Sequence, residues 1–238
     1  MYISIHVPKT AGTTIGMILD YGTDRRVLWD YSADYSTADR MQPELVGQEA
    51  FISSWFKCIH GHFFYTKWAK VFPNAKFITC LRHPVDRIVS QFRHDLTEAL
   101  NGRKSWLHDP LREGRMNVVD YVRTAKSIAN AHVVHLTGRA IKDYDFIFLQ
   151  GAFDESINAF CRYFNFSRRD PFSGALPRVN AANSRAFASG DLVAKFNRLA
   201  AVTDSQKQAV FGAIPNEIEL YQQGVEVARA RISAINAK

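Results

Sequence analysis

Residues 2–22 read YISIHVPKTAGTTIGMILDYG, and the order of residue types in this stretch decides the fold. Residues 2 to 7 form an apolar run with Ile and Val, the character of a buried strand. Pro8-Lys9 and the small residues around Gly12 make a turn, after which Ile15, Met17, Ile18 and Leu19 open an amphipathic helix. Strand, loop and helix in this order make an anion site. The helix N-terminus has unpaired backbone N–H groups and the positive end of the helix dipole, so it holds phosphate or sulfate. Lys9 adds a point charge, and Thr13 and Thr14 add hydroxyl donors. In a nucleoside-triphosphate loop the lysine follows the last glycine as Gly-Lys-Ser/Thr. Here Lys9 precedes Gly12, and the chain contains no Gly-Lys-Ser/Thr.

The same grammar recurs downstream. FKCIHGH (56–62) is a short strand ending in a turn, and NAKFITCLRHP (74–84) is a strand that stops before Pro84, itself in the first turn of a helix over VDRIVSQFRHDL. YDFIFLQG (144–151) is a strand, and in AFDESINAFCRYFNF (152–166) Phe153, Ile157, Phe160 and Phe164 share one helical face. Strands alternating with helices predict an α/β chain, a P-loop-like three-layer fold with a central parallel β-sheet flanked by helices and ligands at the carboxyl ends of the strands. The C-terminal part is helical: Pro215 opens a segment where Ile218, Tyr221, Val225, Ala228, Ile232 and Ile235 form a stripe that packs on the domain, interrupted by Gly224. With 238 residues, 47% of them hydrophobic, the chain reads as one domain over 1–238.

A formal net charge of +7 favours anionic partners. Without arginine–aromatic interleaving, nucleic acid is not expected. No run approaches the roughly 18 apolar residues of a membrane span and no leader pattern is present, so the chain reads as cytoplasmic. Cys58, Cys80 and Cys161 are odd in number and widely spaced, which suggests neither a disulfide framework nor a zinc site. Residues 100–117 and 170–191 are turn-rich and read as loops, the first exposed and basic, the second long enough to bind.

Two further motifs carry chemistry. In CLRHPVDRIVSQF, Arg82 ends a strand and Ser90 lies eight residues on, offering a guanidinium fork and a hydroxyl to a second phosphate. In CIHGHFFY, His60 and His62 face one side if the segment is extended, a spacing that suggests a metal pair. No Asp, Glu, Cys or His stands close by in sequence to complete it, and no metal is expected. Either histidine has the near-neutral pKa that suits a general base.

The stretch HVPKTAGTT resembles the 5′-phosphosulfate loop of sulfotransferases, particularly the carbohydrate type that includes heparan sulfate 2-O-sulfotransferases. The resemblance implies 3′-phosphoadenosine 5′-phosphosulfate as donor and the bisphosphate as product, held by Lys9, Thr10, Ala11, Gly12, Thr13 and Thr14, with Lys9 on the transferring group. CLRHPVDRIVSQF resembles the family's 3′-phosphate motif, which gives that role to Arg82 and Ser90; His83 stands where Asp or Asn is usual. HGH resembles the stretch whose second histidine is the catalytic base, which implies His62 as base and His60 in support beside the acceptor. NAHVVHLTGR and FIFLQGAFDESINAF resemble structural parts of the core, and the loop with Arg178, Asn180, Asn183, Ser184 and Arg185 resembles the region that closes over the adenosine.

The function expected is sulfuryl transfer to a hydroxyl of an acceptor, a saccharide or glycoconjugate. The alternatives are a P-loop kinase and a non-catalytic nucleotide-binding module. Arg103, Lys104, Arg112 and Arg115 either attract an acidic saccharide or are solvated charge; Arg93 reads as a solvated helix face, a reading left open for Arg87.

Overall fold

The computed structural model describes residues 1–31, 46–166 and 189–237. The loop bearing Arg178, Asn180, Asn183, Ser184 and Arg185 lies outside the described residues. Residues 1–31, 46–82, 131–166 and 219–237 gather into one compact unit, and residues 83–130 and 189–218 into a second.

The first unit is built on a five-stranded sheet of β1 (Tyr2–Ile5), β2 (Val27–Tyr31), β3 (Cys58–His62), β4 (Lys76–Leu81) and β5 (Phe146–Leu149), in the order β2-β3-β1-β4-β5. Every neighbouring pair is parallel. This is the α/β class expected, an all-parallel central sheet with helices on its flanks. β2 is an addition: VLWDY is a five-residue edge strand between polar segments, too short and mixed to stand out as an apolar run. From β1 the chain leads towards β2, whereas from neighbouring β4 it leads to β5 on the opposite side, so the strand order reverses at the carboxyl end of β1.

Alternation of side chains gives the sheet two buried faces. Ile3, Ile5, Ile59, Phe77 and Ile147 pack with Trp68 and Leu136 on one face. Cys58, Ile78, Cys80, Phe146 and Phe148 pack on the other with Ile15 and Leu19 from the helix Gly12–Gly22 and with Ile157 and Phe160 from the helix Phe153–Tyr163. The helix Pro215–Asn236 contributes Ala228 to the first face and Ile232 to the second. Gly224, which interrupts the stripe in sequence, is a packing requirement: a Cβ there would lie 2.2 Å from Leu81 Cδ1.

In the second unit the helix Pro84–Leu100 buries Val85, Ile88, Phe92 and Leu96 against Tyr121, Val122, Phe196 and Val210. Arg87 is not a solvated face. It is fully buried, donates to the carbonyls of Ile128 (2.8 Å) and Ala129 (2.6 Å), and lies 3.5 Å from the equally buried Glu217. Arg93 donates to Ala200 O at 3.3 Å. The segment expected to be a basic loop carries the short helix His108–Arg112, anchored by buried Leu107 and Leu111. Its arginines are matched locally: Arg103 with Glu98 (2.9 Å), Arg112 with Asp109, and Arg115 with Glu113.

Candidate active site

The loop after β1 has an unusual backbone. Lys9 (φ 68°) and Ala11 (φ 69°) are both left-handed although neither is glycine, while Thr10 between them and Gly12 after them are not. Each such residue costs on the order of 1–2 kcal/mol, and strain of this kind collects where the backbone is shaped for a task. Alternating handedness turns successive N–H groups inward and makes a concave nest for an anion. Ala11 is the N-cap of the helix Gly12–Gly22, which has no side-chain cap and no acidic residue in its first turn. A carboxylate in that turn would neutralise the positive helix end.

The six loop residues differ in what they offer. Thr10 is fully buried and its hydroxyl donates to Val7 O at 2.8 Å, so its proton is turned into the protein. Thr14 is buried and Thr13 is exposed. Gly12 is fixed by a neighbour that sequence reading overlooked: a Cβ at position 12 would lie 1.9 to 2.2 Å from the ring atoms of His6.

His6 belongs to a cluster of rings on the sheet face that carries the helix Gly12–Gly22. It stacks on His62 with centroids 4.2 Å apart at 25°, and lies parallel to His60 at 5.4 Å. Its Nδ1 is 3.1 Å from the Tyr31 hydroxyl. His135, from the helix Ala131–Leu136, stands 6.4 Å from His62, and its Nδ1 donates to Phe63 O at 3.0 Å. One turn earlier on that helix, His132 Nε2 accepts from the Arg82 backbone N–H at 3.5 Å. The signal that points to this pair in sequence is their i, i+3 spacing, which puts both on one helix face.

The two histidines of HGH are differently placed. His60 is 1% exposed; its Nδ1 accepts from Ser4 Oγ at 2.9 Å, and its Nε2 donates to Gly12 O at 3.1 Å. Both nitrogens are spent, and the second bond ties β3 to the first residue of the loop helix. His62 is partly exposed, and its Nδ1 is a buried nitrogen with no hydrogen-bond partner. Gly61 between them is obligatory, since a Cβ would fall 1.7 Å from Asp30 O on β2.

Packing imidazoles this closely keeps them neutral. Burial lowers His62 to about 4, with the positive charge of Lys9 acting in the same sense and a backbone hydrogen bond at His6 opposing it. Burial, then the neighbouring His62, takes His60 to about 3. His6 lies well below its ordinary value for the same first cause, reinforced by the surrounding histidines and Lys9. At neutral pH these three rings are uncharged, and burial holds His60 and His62 below the near-neutral value expected from sequence.

Arg82 reaches the loop from the end of β4. Its guanidinium donates from Nη1 to Lys9 O at 3.1 Å, which ties the end of β4 to the backbone of the loop. Ser90 belongs to the second unit, partly exposed on the helix Pro84–Leu100, whose first residue is the expected proline. On the opposite face of β2, Lys67 Nζ donates to Asp30 Oδ1 (2.9 Å) and Trp68 Nε1 to Asp30 Oδ2 (2.8 Å), all three buried. Among the described residues no group of three or more His, Cys, Asp or Glu is arranged to hold a metal ion, and no helix is long and apolar enough to cross a membrane.

A family model described as "Sulfotransferase family" matches residues 22–166, more than half of the chain. The match includes β2 to β5, His60, His62, Arg82 and Ser90, and begins after the loop of residues 9–14. No curated protein matches the chain.

Proposed function

The chain belongs to the sulfotransferase family, and from that premise we propose that it transfers a sulfuryl group from 3′-phosphoadenosine 5′-phosphosulfate to a hydroxyl of a carbohydrate acceptor, with His62 as general base. The observation that carries the reading is the juxtaposition of the strained loop at the end of the central strand with a neutral, underpartnered imidazole on the next strand. The family match removes the kinase reading.

The residues present fit the nucleotide. The alternating backbone at Lys9 to Gly12 is a cradle for the 5′-phosphosulfate, in which Lys9 and Thr13 supply a cation and a hydroxyl. Arg82, bonded to the loop through Lys9 O, is assigned to the 3′-phosphate, the role that the sequence motif also gives to Ser90. When bound, the donor supplies the sulfuryl group and a phosphate leaving group. The work of the chain is to position and to handle charge. His62 accepts the proton of the acceptor hydroxyl as its oxygen bonds to sulfur and the sulfur–phosphate oxygen bond breaks. Lys9 and the loop N–H groups stabilise negative charge on the departing phosphate, a preorganised electrostatic contribution. His60 supports by tying β3 to Gly12 O at the start of the loop helix.

Two measurements test the reading. Adenosine 3′,5′-bisphosphate raises Tm without added metal, whereas ATP with magnesium does so much less. Labelled donor then sulfates a saccharide fraction in a turnover assay. A protein that the bisphosphate stabilises but that sulfates no hydroxyl compound is a binding module, and the proposal fails.

A further inference from the structure

We propose that Trp29 and Tyr31 form the acceptor wall of this site, and that the acceptor presents to them the flat apolar face of a six-membered ring bearing the reacting hydroxyl. The inference rests on the sulfuryl-transfer reading above. β2 is an edge strand, and alternation puts Val27, Trp29 and Tyr31 on one face. Val27 is buried, yet Trp29 is 47% and Tyr31 42% exposed. Two large aromatic side chains left half in water on adjacent same-face positions forfeit burial that a purely structural edge would take.

Their surroundings point to a ligand. The two rings lie near-parallel, 6.3 Å apart at 19°. Tyr31 meets the proposed base His62 edge-on at 4.9 Å, and Trp29 meets His60 edge-on at 5.5 Å. Both are fixed from behind. Trp29 presses on Gly16, where a Cβ would come within 2.7 Å of its Cζ3, and the Tyr31 hydroxyl is bonded to His6. Rings that are held in place yet half exposed are preorganised for contact. Asp30, between them in sequence, points to the other face and is committed to Lys67 and Trp68, so the wall presents rings and not a carboxylate. The negative face of an aromatic ring attracts the partial positive charge of C–H bonds. A pyranoside or a phenol offers a flat face of this kind beside a hydroxyl, and an acyclic polyol does not.

The test uses methyl pyranosides, 4-nitrophenol and glycerol as probes in ligand-observed NMR, on the whole chain with and without adenosine 3′,5′-bisphosphate. At least one ring class binds and glycerol does not, which also tells sugar from phenol. Trp29→Ala weakens the ring probe about tenfold, Trp29→Phe restores most of the loss, and Phe51→Ala, an exposed aromatic outside the ring cluster, changes nothing. Retained stabilisation by the bisphosphate certifies the fold of each variant; if the alanine variant does not fold, Trp29→Leu keeps bulk over Gly16 and takes its place. The wall is overturned if no ring probe binds the parent protein, if glycerol binds as well, or if a folded Trp29 variant without the ring binds as tightly as the parent. A parallel transfer assay separates the two ideas. Trp29-dependent ring binding without sulfation sinks the enzyme reading and leaves the wall standing; sulfation indifferent to Trp29 does the reverse.

Discussion

The two faces of the sheet at the β2–β3 edge solve the same problem in opposite ways. On one face a full ion pair is buried: Asp30 accepts from Lys67 and from the Trp68 indole, and both of its oxygens are used. On the other face the buried polar groups are neutral imidazoles, and His62 Nδ1 has no partner. A buried charge is tolerable only when fully paired. A neutral ring can leave a nitrogen unpartnered at lower cost than a charge. The paired face holds the strand, and the underpaired face carries the proposed base.

Removing the underpaired group has the largest expected effect. His62→Ala lowers sulfuryl transfer by about a hundred- to ten-thousand-fold while the bisphosphate still raises Tm, as turnover and thermal shift on one preparation will tell. Equal turnover would erase the distinction between the faces. Asp30→Ala strikes the other face, leaving Lys67 charged and buried, and lowers unfolding free energy in urea by about 3–5 kcal/mol. The double variant Asp30→Leu/Lys67→Met regains most of that loss if pairing is the reason for the residues.

A pH series sharpens the contrast. Free histidine titrates near 6.5, whereas His62 and His60 are held at about 4 and about 3 in the folded chain. Between these values the unfolded chain binds protons that the native one refuses, so stability falls as pH drops below about 6.5. Replacing His6, His60 and His62 together by Gln flattens the fall in Tm from pH 7 to 5; a slope that survives places the cause elsewhere. The smallest effect belongs to exposed pairs. Arg103→Ala, which loses Glu98 at 2.9 Å, changes stability by less than about 1 kcal/mol in the same urea assay.

Much of the fold was legible because its signals are local. The turn after β1, Pro84 at the start of a helix and the stripe from Ile218 to Ile235 each declare themselves within a few turns of chain. The partners of those signals did not. His6 meets Tyr31 across 25 positions, Asp30 meets Lys67 across 37, and His60 meets Ser4 across 56. Such pairings are set by strand order, which a linear pattern does not encode. Arg87 shows the same limit from the other side: its neighbours in sequence leave a solvated face open, but Glu217 and the carbonyls of Ile128 and Ala129 enclose it. The lysine, arginine and histidine motifs were visible as types; that Thr10 faces inward while Thr13 remains exposed was not.

The contact between Gly12 and His6 has a consequence for how such a protein can change. The loop's first helical residue lacks a side chain because an aromatic ring already occupies the space, and that ring lies flat on the proposed proton acceptor. Grafting the loop into another scaffold without the histidine before it would leave a hole, and enlarging position 12 would lever the imidazole pair apart. The backbone of the loop and the imidazole pair are therefore inherited together or lost together.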